Sequence, residues 1–187
     1  MLRLFVALEI PDELKHEIAL LSGKLNEDIK NAKWVPERNL HLTLKFLGQC
    51  GDEMPLEIES RLKALTKKFN RFNFRLSGLG AFPSIKRARV LHVGVNEGRE
   101  NIISLQHSIK ESLYQVGFAK DEREFSPHIT FARLKNPCNV ERFLKKMDTR
   151  GFSKRFVEVN SVNLFRSHLM SSGPIYEKIL EIKLKDD

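Results

Sequence analysis

From Leu2 to Ile10 the chain is almost continuously apolar, the pattern of a buried strand. Pro11, Asp12 and Glu13 suit the first turn of a helix, and Leu14, Ile18, Leu21, Leu25 and Ile29 then recur at helical spacing. Trp34-Val35 reads as a short strand before the Pro36 turn. Asn39-Leu-His-Leu-Thr-Leu-Lys-Phe-Leu-Gly48 follows as a strand with two contrasting faces. Alternation puts His41, Thr43 and Lys45 on one side and Leu42, Leu44 and Phe46 on the other. A second helix from about Glu53 turns Leu62, Leu65 and Phe69 inward. Phe72, Phe74 and Leu76 alternate as a strand, Gly78-Leu-Gly80 leads into a turn, Phe82-Pro83 turns, and Ala88 to Val95 forms another strand.

After Gly98 the order starts again. Ile102, Leu105, Ile109, Leu113 and Val116 mark a helix that Gly117 can cap. Ser126-Pro-His-Ile-Thr-Phe-Ala-Arg133 repeats the motif strand, with His128 and Thr130 opposite Ile129 and Phe131. A short helix from about Asn139, a long strand around Phe156 to Arg166 and a last strand from Ile175 to Leu184 complete the chain. His128 follows His41 by 87 positions, and the later elements keep nearly the same offset. This reads as an internal duplication, approximately 11–95 and 98–184, within one domain over 1–187. The predicted class is α+β: two pseudo-symmetric lobes, each an antiparallel sheet with helices on its outer face, enclosing a central cleft. His41 and His128 would then face each other across that cleft.

Composition adds a class and a partner. At 187 residues, with 41% hydrophobic and 30% charged, the chain suits a globular protein with a sizeable core. The formal charge of +8 fits a polyanionic partner such as nucleic acid, and equally a solvated Lys-rich surface. Cys50 and Cys138 make no disulfide scaffold and are expected reduced. The first apolar run is too short for a signal peptide, and no stretch reaches membrane-spanning length. A cytoplasmic monomer is the expectation.

The candidate chemistry lies in the two His-x-Thr motifs. With 6 His and 4 Thr in the chain, chance supplies only roughly 0.1 such pair, and there are two. Imidazole titrates near neutral pH, so one ring can hold a proton while the other accepts one. Phosphodiester cleavage needs both, and a threonine hydroxyl beside each ring can donate to a phosphoryl oxygen. One such pair would be read as a strand threonine and a satisfied histidine. Two pairs at the repeat offset favour function.

These residues resemble the 2H phosphoesterases, and within them the RNA 2′,3′-cyclic phosphodiesterases, also called 2′-5′ RNA ligases. The likeness runs through Leu4-Phe5-Val6-Ala7, Trp34-Val35-Pro36, His41-Leu-Thr-Leu-Lys-Phe-Leu-Gly48, Phe82-Pro83, Arg89-Val-Leu, Ser126-Pro-His-Ile-Thr-Phe131 and Ser172-Gly-Pro-Ile-Tyr176. The resemblance implies hydrolysis of a 2′,3′-cyclic phosphate to a 2′-phosphate, with His41 as proton donor and His128 as acceptor. It implies RNA ends as partners, tRNA fragments among them, and neither metal nor other cofactor. His92 departs from the pattern, since relatives often carry Trp after Arg-Val-Leu.

Three basic residues are candidates for substrate binding. Lys45 shares the face of His41 by alternation. Arg133 reaches the cleft only where its strand ends or bulges near Ala132. Arg89 belongs to the compact cluster Lys86-Arg87-Ala-Arg89, which can hold an RNA backbone or be a solvated turn. His16 and His107 read as surface residues on helices. No His-x-x-x-His or Cys-x-x-Cys points to a metal. A module that grips a phosphorylated RNA end without turnover is the alternative function, and joining a cyclic end to a 5′-hydroxyl is a third reading.

Overall fold

The computed structural model describes residues 1–120, 124–147, 149, 155–171 and 173–186. Ser172, quoted above for the resemblance, lies outside them. The elements are β1 (Leu2–Leu8), α1 (Asp12–Asp28), β2 (Ala32–Trp34), β3 (Leu42–Cys50), α2 (Met54–Thr66), β4 (Phe72–Phe82) and β5 (Ala88–Val95). Then follow α3 (Arg99–Tyr114), β6 (His128–Cys138), α4 (Glu141–Lys145), β7 (Phe156–Val159), β8 (Ser161–Met170) and β9 (Gly173–Lys183).

The strands form one path in the order β7-β4-β5-β6-β3-β1-β8-β9, with β2 on β6, and neighbours pair antiparallel. The path bends at its middle. Among the described residues, β3 and β6 are joined by one register pair, Leu42 with Ile129. On either side of it the sheet opens into two wings, β3-β1-β8-β9 and β6-β5-β4-β7.

The wings do not follow the halves of the chain. The β4–β5 hairpin comes before Gly98 yet flanks β6, and the β8–β9 hairpin comes late yet flanks β1. The long strand read around Phe156 to Arg166 changes partner at Asn160: β7 pairs with β4, and β8 pairs with β1. One stretch of apolar alternation therefore serves both wings. Gly78-Leu-Gly80 does not end its strand, because β4 continues to Phe82 beside β5, where Gly80 pairs with His92. A side chain at Gly80 would collide with that imidazole, so glycine gives it room.

Helices cover one face of the sheet. Ile18, Leu25, Ile58, Leu62, Leu105 and Ile109 are fully buried there with Leu42, Ile129 and Phe131 in one cluster. α1 and α2 carry acidic residues in their first turns, which complement the helix dipole. The opposite face holds a separate small group, Phe5, Ala7 and Phe165 with Tyr176 against them. That second face is the concave one, and the motif histidines border it.

Candidate active site

His41 stands one residue before β3 and His128 opens β6. Each precedes its neighbour in the Leu42–Ile129 pair by one position, so antiparallel order sets His41 toward Thr130 and Thr43 toward His128. Both rings are held in the same way. The Nδ1–H of His41 donates to the Asn39 carbonyl at 2.7 Å, and that of His128 to the Ser126 carbonyl at 2.6 Å. A carbonyl can only accept, so each Nδ1 carries the hydrogen and each Nε2 is left to handle protons. The Thr43 hydroxyl lies 2.9 Å from Nε2 of His41 and donates to it.

The rings differ in their walls. Phe5 stacks on His41 with centroids 4.9 Å apart, and Tyr176 meets it edge-on at 5.3 Å. The corresponding wall of His128 holds another imidazole, His92, at 5.2 Å, with Phe82 edge-on at 4.9 Å. Phe82 in turn stacks on His92 at 4.3 Å. Phe5 and His92 are themselves 87 positions apart, the offset of the two motifs.

Burial decides the charge state of this face. It lowers the His41 pKa to about 4, the Asn39 carbonyl opposing and Lys15 assisting. Burial also lowers His128, with Arg133 adding to the effect against the Ser126 carbonyl. His92 is lowered to about 4 by burial and then by the neighbouring His128. The Tyr176 hydroxyl is pushed up by burial, while Arg133 and Arg3 pull it down. At neutral pH the site thus presents neutral imidazoles inside a cationic surround.

The basic candidates separate. Strict alternation fails in both motif strands because each carries a bulge. Ala7 pairs with Thr43 but Val6 with Lys45, which leaves Leu44 extra; His92 pairs with Thr130 but Leu91 with Ala132, which leaves Phe131 extra. Each extra residue lies three positions after its histidine. The bulge reverses the phase beyond it. Lys45 therefore turns away from His41: it is 3% exposed, and Nζ donates to the Ala119 carbonyl at 2.8 Å. Phe46 takes the cleft face instead, 64% exposed and paired in register with Phe5. The matching bulge brings Arg133 onto the face of His128, where its charge acts on both His128 and Tyr176. Arg89 is exposed beside Val90, which pairs with Arg133. His16 approaches Glu37, His168 Nε2 lies 2.7 Å from Glu177, and His107 is exposed.

Two residues escaped the sequence reading. Asn39 is 3% exposed; its carbonyl holds His41 while its side-chain Nδ2–H donates to Pro174 at 2.8 Å. Its place inside the motif and its polarity in an apolar run were the available signal. Lys33 pairs in register with Arg133 across β2 and β6. Nothing in the local sequence announces that pairing. A separate cavity of about 330 Å³ is bordered by Glu9, Asp12, Glu158 and Glu181 together with Lys15, which pairs with Asp12. Among the described residues no His, Cys, Asp and Glu group is arranged to hold a metal ion, and no helix is long and apolar enough to cross a membrane.

A family model described as LigT-like phosphoesterase matches this chain twice, over residues 8–92 and 93–176. The chain is 37% identical over 152 residues to an RNA 2′,3′-cyclic phosphodiesterase of Aeropyrum pernix, covering 81% of this chain and 85% of that one. It is 35% identical over 180 residues to one of Archaeoglobus fulgidus, covering 95% and 98%. Among solved structures, a Thermus thermophilus protein superposes with a TM-score of 0.80 at 24% identity, over 99% of both chains. Escherichia coli LigT complexed with 3′-AMP gives 0.73 at 24% identity over 98% of both. These two likenesses concern the fold.

Proposed function

The chain belongs to the LigT-like phosphoesterase family, and on that premise we propose that it hydrolyses RNA and nucleoside 2′,3′-cyclic phosphates to 2′-phosphomonoesters. The observation that carries the reading is the matched anchoring of two imidazoles, each with Nδ1–H on the carbonyl two residues before it. Both Nε2 atoms are thereby prepared for proton transfer on one concave face. The names of the relatives support the substrate class.

In this mechanism His128 takes a proton from water through Nε2 as the oxygen attacks phosphorus. His41 delivers a proton through Nε2 to the departing 3′ oxygen. The two transfers flank an in-line displacement, and the threonine hydroxyls donate to phosphoryl oxygens as charge grows there. His41 is neutral in the free protein, because burial holds its pKa at about 4. It acquires the proton it donates only when an anionic phosphate sits beside it and favours the charged ring. The substrate therefore arms its own acid. With a 5′-hydroxyl in place of water as the nucleophile, the same transfers join a cyclic end to that hydroxyl through a 2′-5′ linkage.

The test is incubation with 2′,3′-cyclic AMP and ³¹P NMR of the product. A 2′-phosphate is expected. A 3′-phosphate would reverse the roles given to His41 and His128, and tight binding without turnover would return the site to an RNA-end-binding module.

A further inference from the structure

We infer that the cleft-facing edge built by β6 and β2 holds the RNA strand leading away from the reacting end, with Arg133, Lys33 and Lys135 on its backbone phosphates. The inference rests on the cyclic phosphodiesterase reading and names the path of the substrate beyond the cyclic phosphate.

Register places the three cations. Ala32 and Trp34 pair with Leu134 and Ala132, and all four pack toward the helix-covered core. Lys33 and Arg133, between them, share the opposite face as a direct cross-strand pair. Lys135, two residues beyond Arg133, falls on that face again, with its backbone N–H on the Asn31 carbonyl. The row begins at His128 and Thr130 and, after the Phe131 bulge, runs outward through Arg133 and Lys135. Two residues along a strand advance about 6.7 Å, roughly one extended nucleotide step.

Electrostatics supplies the reason for an anion. Like charges directly opposite on neighbouring strands destabilise a sheet unless something neutralises them. Some other exposed cations have a carboxylate, as in Lys63–Glu59, Lys120–Glu111 and Lys145–Glu141, and others such as Lys67 and Lys86 have none among the described residues. Among the described residues Lys33, Arg133 and Lys135 have none within 4.0 Å. The Lys33 ammonium also reaches to 4.0 Å from where a side chain at Gly173 would begin, at the tip of the β8–β9 hairpin. It therefore leans from one wing toward the other, over the mouth of the cleft.

The experiment is fluorescence anisotropy with a 5′-labelled octaribonucleotide ending in a 2′-phosphate, titrated at several salt concentrations. Lys33→Ala combined with Lys135→Ala should weaken binding by about tenfold at about 0.1 M salt. The log–log salt slope should become shallower by about 1.4, since each single-strand phosphate contact contributes about 0.7. Lys63→Ala, whose partner is Glu59 on α2, removes a positive charge elsewhere and should change neither quantity. Wild-type affinity and slope in the double variant would overturn the path. This readout does not depend on turnover, so a wild-type protein inert toward cyclic AMP would count against the hydrolase reading alone.

Discussion

The imidazoles of His92 and His128 meet edge to face, with centroids 5.2 Å apart and planes at 60°. Two rings this close cannot both hold a proton without repulsion, and burial gives the first refusal to His92. Among the described residues its Nδ1 is buried without a hydrogen-bond partner. His92 is thus a neutral aromatic wall at neutral pH, packed on Phe82. His92→Phe should keep that packing and change kcat/KM for a cyclic mononucleotide by less than about tenfold. A loss of a hundredfold or more in steady-state assays would mean that His92 handles protons.

The pH dependence follows from the depressed pKa values. A profile of kcat/KM reports the free protein, in which the donor must be charged and the acceptor neutral. His41 is lowered to about 4 and His128 lies below its usual 6.5. Above about pH 6.5 both rings are neutral, so kcat/KM should fall as pH rises and peak in the acid range between those values. The alkaline limb of kcat should lie higher, because bound phosphate favours the imidazolium. A kcat/KM optimum above pH 7.5 would contradict the burial of the site.

Much of this site was legible in the sequence, and the exceptions share a cause. The pattern of His41, Thr43, His128 and Thr130 needs only strand alternation over three residues, which both strands keep. Lys45 and Phe46 exchange faces because alternation is broken at Leu44, and a bulge depends on pairing with β1 rather than on residues within β3. Arg133 reaches the cleft through the equivalent bulge at Phe131. Which strands flank β6 and β1 was not legible for a similar reason, because tertiary pairing settles it. Lys33 could not be found at all without its register to Arg133.

Asn39 ties a hairpin to a histidine. Asn39→Ala leaves the backbone carbonyl on His41 but removes the donor to Pro174, at a cost of about 1–3 kcal/mol for an unpaired buried group. The β8–β9 hairpin carries Tyr176 against His41, so its loosening should lower kcat by about tenfold as well as the melting temperature. Asn39→Asp has the same shape but only accepts, and it should lose as much. Wild-type kcat in both variants would detach the hairpin from catalysis.

Stability should respond to acid before the carboxylates titrate. The unfolded chain binds protons at its histidines near pH 6.5, whereas His41 and His92 resist until about 4 when folded. Between those values the unfolded state holds more protons, so stability rises with pH and falls on acidification through the window. Each ring contributes on the order of 1–3 kcal/mol to the loss. Urea denaturation at pH 7.5 and pH 4.5 measures it, and His41→Phe should shrink the difference. Equal midpoints at the two pH values would show the rings to be solvated.

The two threonines should differ even though their motifs match. The Thr43 hydroxyl already donates to Nε2 of His41, the atom assigned the proton transfer, whereas among the described residues Thr130 has no such bond to His128. Donation from a hydroxyl stabilises the bare nitrogen and so holds His41 in its neutral form. Thr43→Val removes that restraint. Protonation of His41 becomes easier, and the acid limb of kcat/KM, which His41 sets as the lower of the two, should move to higher pH even as kcat falls through loss of a donor to the phosphate. Thr130→Val loses only the second effect, so its kcat should fall while the limb stays in place. His41→Ala and His128→Ala should each cost about 10²–10⁴-fold, and together little more than the poorer of the two, because they serve one displacement. The decisive measurement is the pair of pH profiles for the threonine variants. A limb that moves equally in both would mean that the hydrogen bond at His41 does not set its proton affinity, and the donor assignment would lose its structural support.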